Sequence, residues 1–70
     1  MKAIKIKVAG MNCNHCKTSV EINLKTIDGL DIINADITKE EVEIIGDQVD
    51  LEKVEKTIKD LGFEYKGVLN

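Results

Sequence analysis

Residues 3–9 alternate apolar and polar positions, with Ile4, Ile6 and Val8 on one face and Lys5 and Lys7 on the other. A period of two over this length predicts a half-buried β-strand. Gly10 then permits a change of backbone direction. The period lengthens from Asn14 onward: Cys16, Val20, Leu24 and Ile27 recur at four, four and three, which stacks them on one face of a helix from about Asn14 to Ile27. Glu21 and Lys25 stand four apart on the solvent side and are expected to pair. Asp28-Gly29 is expected to end this helix, with Gly29 in the left-handed position past its C-terminus.

A second strand follows at 30–37, with Leu30, Ile33, Ala35 and Ile37 inward. Thr38-Lys39-Glu40-Glu41 reads as a polar turn. Val42 and Ile44 face one way and Glu43 the other, so 30–46 forms a hairpin. Gly46-Asp47-Gln48 makes a loop, and Asp50 suits a helix N-cap. Leu51, Val54, Ile58 and Leu61 trace a second amphipathic helix that stops at Gly62. Phe63 to Leu69 forms a last short strand. The order β-α-β-β-α-β predicts an α+β, ferredoxin-like sandwich: a four-stranded antiparallel sheet with two helices on one face. An internal echo agrees, since Val20, Leu24 and Ile27 stand to Gly29 much as Val54, Ile58 and Leu61 stand to Gly62. No linker or low-complexity segment interrupts residues 1–70, which read as one domain. Met1 lies directly before the first strand and the chain ends soon after the last, which favours a free-standing protein.

A chain of 70 residues buries only about 60% of its unfolded surface. Little volume is left for an enclosed pocket beside the core, so a surface site is expected. Thirteen acidic residues against ten lysines and no arginine give a net charge of −3. That balance argues against a nucleic-acid binder. An RNA-reading sheet would need exposed aromatics flanked by basic residues, and the chain has only Phe63 and Tyr65. The charge is uneven. Lys2, Lys5, Lys7, Lys17 and Lys25 face Glu21 alone in the first 25 residues, whereas residues 28–64 are acid-rich. This is either an ordinary solvated surface or a basic docking face for an acidic partner near the first loop. Neither a signal-peptide pattern nor the ~20 apolar residues of a membrane span occurs. The expectation is a soluble cytoplasmic chain without membrane insertion, whose thiols stay reduced.

The chemistry concentrates in Gly10-Met11-Asn12-Cys13-Asn14-His15-Cys16, which holds both cysteines and the only histidine. It lies between a strand pattern and a helix pattern. With Cys16 in the first helical turn and Cys13 just before it, both sulfurs can face one ion. Unpaired N–H groups and partial positive charge at the helix start stabilise a thiolate, the form that binds metal; Lys17 adds a neighbouring cation. Thiolates select Cu(I), Zn and similar soft ions. A structural zinc site wants four ligands and an iron–sulfur cluster four cysteines; this chain has too few for either. A thioredoxin-type redox pair shares the Cys-x-x-Cys spacing, but the chain contains no proline to face it. An inert buried pair is the bland alternative. A site of two sulfurs suits Cu(I) and permits transfer, because an incoming thiolate can bind before an outgoing one leaves. Asn12 offers no carboxylate to draw Zn(II) or Cd(II). Met11 reads as an apolar peg in the core rather than a ligand, and His15 as an exposed loop side chain that tunes the thiols or the docking surface, with ligation of metal in a dimer as the alternative.

These residues, followed by Val20-Glu21, Leu24, Ile27, Gly29-Leu30 and Leu61-Gly62-Phe63, resemble the heavy-metal-associated (HMA) domain family, and within it the bacterial CopZ-type copper chaperones. The resemblance implies that Cys13 and Cys16 are the metal ligands, that Met11 packs under the loop, and that the protein is a carrier rather than an enzyme. It implies delivery of Cu(I) to the metal-binding domain of a P1B-type copper-transporting ATPase or to a copper-responsive repressor. The apo protein would be a monomer, with a metal-bridged dimer as a further state. Phe63 departs from the tyrosine common in bacterial members; its ring can shield the loop but cannot hydrogen-bond to sulfur. Tyr65 reads as core filling. Three other functions use the same residues: the N-terminal metal domain of a heavy-metal transport ATPase, a carrier of Zn(II), Cd(II) or Hg(II), and a small thiol–disulfide oxidoreductase.

Overall fold

Ile6 and Val8 are fully buried and Ile4 is half-buried, as the alternation requires, in strand β1 (Lys2–Ala9) of a computed structural model that describes residues 2–69. Met1 and Asn70, the two ends of the expected domain, lie outside the described residues. The remaining elements are α1 (Asn14–Leu24), β2 (Leu30–Asp36), β3 (Glu41–Gly46), α2 (Leu51–Asp60) and β4 (Glu64–Val68). The four strands form one antiparallel sheet in the order β2-β3-β1-β4. α1 packs on β2, α2 on β4, and the helices touch each other. This is the predicted ferredoxin-like α+β arrangement.

One core lies between helices and sheet. β1 contributes Ile6 and Val8, β2 Ile33 and Ala35, and β3 Val42 and Ile44, while Val20 and Leu24 of α1 and Val54 and Ile58 of α2 close over them. Each fully buried Val, Leu or Ile is worth about 1.5–3 kcal/mol against exposure. Leu30 and Ile33 both point inward although three residues apart. The register shifts between Leu30, which pairs with Gly46, and Ile32, which pairs with Ile45, so a bulge resets the alternation.

α1 ends at Leu24, three residues before the expected limit. Asn23 turns its amide onto the Ser19 carbonyl at 2.7 Å, and Thr26 donates its hydroxyl to the Asn23 carbonyl at 2.7 Å. Such side-chain bonds compete with the helical ladder, and the Ile27 amide reaches back only to Leu24. Ile27 still packs on the core. Glu21 pairs with Lys17 at 3.7 Å rather than with Lys25. Its carboxylate also accepts from the Ala35 amide at 3.0 Å, which occupies one outward N–H of the edge strand β2 and ties α1 to it.

α2 begins at Asp50, whose carboxylate accepts from the Glu52 and Lys53 amides. It ends in a Schellman motif: the Gly62 amide bonds the Lys59 carbonyl and the Phe63 amide bonds the Ile58 carbonyl. Gly62 takes φ +92 there. The turn aims Phe63 back toward the loop after β1.

Candidate metal-binding site

β1 delivers the chain to Gly10, whose φ of +95 bends it into the cysteine loop. Met11 follows and is fully buried in the core, where it pegs the loop to the body of the protein. Phe63 packs against the same core and comes close to Gly10. A β-carbon added at Gly10 would lie 3.6 Å from its ring, so Phe63 flanks the loop as the sequence suggested. Tyr65 packs on the core, and burial pushes its hydroxyl above the ordinary tyrosine range.

Cys13 is the N-cap of α1, with extended backbone at φ −145 and ψ 161. Its Sγ accepts from the Cys16 amide at 3.2 Å and its carbonyl from the Lys17 amide at 3.0 Å. Cys16 sits one turn up, half-buried and packed on the core, while Cys13 is exposed. The helix therefore fixes one sulfur and presents the other at the surface. The two sulfurs touch at 2.7 Å and share a hydrogen bond. That bond from the Cys16 thiol, helped by the Cys16 amide, holds Cys13 below the ordinary cysteine range, and the same bond with burial pushes Cys16 above it. When the pair loses its first proton, the exposed Cys13 is the favoured thiolate and the Cys16 thiol its donor. A soft ion needs that first thiolate to land and displaces the second proton as it binds.

His15 and Asn12 are exposed. Among the described residues, no group of three or more His, Cys, Asp or Glu side chains is placed to hold a metal. The structure brings the two predicted sulfurs together and buries Met11 in the core.

The lysines of β1 are spread along the strand, whereas Lys17 stays beside Cys16 at the start of α1. β1 rises about 3.3 Å per residue, so Lys2, which pairs with Gly46, sits at the far end of the strand. Lys5 and Lys7 lie opposite Glu43 and Glu41 in the sheet, and Lys7 bonds the Lys39 carbonyl at 2.6 Å. Two of the five lysines in the first 25 residues, Lys5 and Lys7, thus face glutamates of the acidic half, and Lys17 pairs with Glu21.

Glu40 also reaches this loop, from the polar turn after β2. Its carboxylate accepts from the Gly10 amide at 2.8 Å, and its carbonyl from the Val8 amide at 2.8 Å. No local pattern marks this residue, because its partners lie about thirty positions earlier.

Comparison with known proteins agrees with this architecture. The heavy-metal-associated domain model matches residues 5–64. The chain is 33% identical over 63 residues to the copper chaperone CopZ of Staphylococcus haemolyticus, covering 87% of this chain and 93% of that protein. Among solved structures it is similar to a CopZ metallochaperone, with a TM-score of 0.87 and 29% identity over 91% of this chain and 98% of that one. It is also similar to a copper-binding domain of the P-type ATPase HMA7, with a TM-score of 0.89 and 29% identity over 100% of this chain and 96% of that domain. No helix of the described residues is long and apolar enough to cross a membrane.

Proposed function

Since the chain belongs to the heavy-metal-associated domain family, we propose that it is a Cu(I) carrier whose two metal ligands are Cys13 and Cys16. The observation that carries this reading is the pair of touching sulfurs at the start of α1, with Cys13 exposed at the cap and Cys16 half-buried one turn up. Two soft sulfurs suit Cu(I). Structural zinc demands four ligands.

Delivery follows from incomplete coordination. A thiolate of the receiving domain attacks the bound Cu(I) while both carrier sulfurs still hold it. Cys13, at the exposed cap, leaves first and takes a proton. A second acceptor thiolate then displaces Cys16. Copper passes without becoming free, and its oxidation state does not change. The receiving domain in this proposal is the metal-binding domain of a P1B-type copper-transporting ATPase, or a copper-responsive repressor. Similarity to a copper-binding domain of a P-type ATPase supports the first, because like scaffolds present like thiols to each other. Residues 1–70 act as a single domain, in the reducing cytoplasm where both thiols remain available.

Transfer is the test. The Cu(I)-loaded chain is mixed with the metal-binding domain of a copper ATPase, beside a chelator that traps free Cu(I). Copper should reach the domain faster than it appears in the chelator. If it reaches the domain only at the rate at which the chelator fills, the carrier mechanism is wrong. The same titration with Zn(II) separates a copper carrier from a zinc carrier.

A further inference from the structure

The turn between β2 and β3 reaches across to the cysteine loop through one residue. Glu40 has φ 54, the one positive value among the described residues that is not a glycine. Left-handed backbone is costly for a residue with a β-carbon, and it persists where the surroundings require it. Here the requirement is visible. In that conformation the Glu40 carbonyl accepts from the Val8 amide and the Glu40 carboxylate from the Gly10 amide, both at 2.8 Å. The turn is itself built to deliver Glu40: the Asp36 carboxylate accepts from the Thr38 and Lys39 amides at 2.9 and 3.2 Å. Lys7 adds a bond to the Lys39 carbonyl.

We infer that Glu40 is a positioning residue for the metal loop, clamping Gly10 so that Cys13 is held in register with Cys16. The inference rests on the copper-carrier reading for its consequence, though not for its geometry. Gly10 is fixed by Glu40 and Met11 by the core, so the two residues that precede Asn12-Cys13 are anchored. At the other end Cys16 is fixed by α1. Between these anchors Cys13 has little choice of position. A hydrogen bond to an ionised carboxylate is stronger than one between neutral groups, which suits a clamp on an exposed loop. Without it, Gly10 regains the wide backbone freedom of glycine, and Cu(I) must order the loop on binding.

The experiment compares the reduced full chain with Glu40→Gly and Glu40→Gln. The glycine variant removes the carboxylate, keeps the backbone bond to Val8 and accepts φ 54 without strain. The glutamine variant keeps an acceptor oxygen and loses the charge. Hydrogen exchange of the Gly10 amide in the metal-free protein should quicken about tenfold or more in Glu40→Gly, the scale of losing a charged hydrogen bond, and by less in Glu40→Gln. The thermal midpoint of Glu40→Gly should hold or rise. Cu(I) affinity, by chelator competition, should fall about three- to tenfold in Glu40→Gly, with faster release. Unchanged Gly10 exchange in Glu40→Gly overturns the clamp. So does a loss of Cu(I) affinity that merely follows a lowered midpoint, because that is a structural role and not a positioning one. If the unaltered chain takes up no Cu(I), the carrier reading fails, and Gly10 exchange alone then decides whether the clamp exists.

Discussion

Cys13 does two jobs with one sulfur. It caps α1 by accepting from the Cys16 amide, and it lies against the Cys16 thiol. Its pKa is lowered by that thiol and that amide while Cys16 is raised by the same contact, so the pair loses its two protons in successive steps. Thiolate absorbance should therefore rise in one step below the usual cysteine range and one above it. At neutral pH iodoacetamide should modify Cys13 well ahead of Cys16; equal rates would contradict the assignment. Cys13→Ser and Cys16→Ser should each abolish tight Cu(I) binding. Serine is a good N-cap, so apo Cys13→Ser should unfold at or above the temperature of the unaltered chain, which separates loss of metal from loss of fold. Met11→Leu conserves volume and should cost less than about 1.5 kcal/mol while keeping most Cu(I) affinity. Complete loss of metal in that variant would make Met11 a ligand and not a peg. The closeness of the two thiols was legible because the cysteines are near in sequence as well as in space, and the burial of Met11 because an apolar side chain in a polar loop has the core as its place. Glu40 was not, since a residue in a polar turn shows neither its φ nor its distant partner in the local pattern.

Each helix is set by its ends as much as by its apolar face. Asp50 accepts from two amides at the start of α2, and Asp50→Ala should destabilise the protein by about 1 kcal/mol in chemical unfolding. Gly46 closes β3 where a β-carbon would strike the Gly29 carbonyl oxygen and the Leu30 backbone. Gly46→Ala should cost about 1–3 kcal/mol, the usual scale of overpacking; a neutral result would mean that the β2–β3 pairing at this end is looser than it looks. Element order, the inward faces and both helix starts could be read from periodicity and caps. The early end of α1 could not, because the side-chain bonds of Asn23 and Thr26 to the Ser19 and Asn23 carbonyls leave no mark in a pattern of apolar positions. Glu21 was assigned the wrong lysine for a related reason. Lys17 and Lys25 both stand four residues away, and only the folded chain shows that the Glu21 carboxylate leans toward the Ala35 amide of β2, with Lys17 beside it.

At the scale of the molecule, a small sandwich spends its interior on core and leaves its chemistry on the rim. The described chain measures 28 × 22 × 18 Å along its principal axes. Fold class was recoverable from sequence because two similar halves repeat one period change. Charge placement was not: β1 sets Lys5 and Lys7 opposite Glu43 and Glu41 of β3, partners that the sequence holds more than thirty residues away. Metal uptake at the rim is the claim on which the rest depends. Its most direct measurement is titration of the reduced chain with Cu(I) against a competing chelator, joined to X-ray absorption at the copper edge. One equivalent should bind per chain with two sulfur neighbours, and both signals should vanish in Cys13→Ser and Cys16→Ser. Uptake of less than one equivalent, or a copper shell without sulfur, would contradict the account.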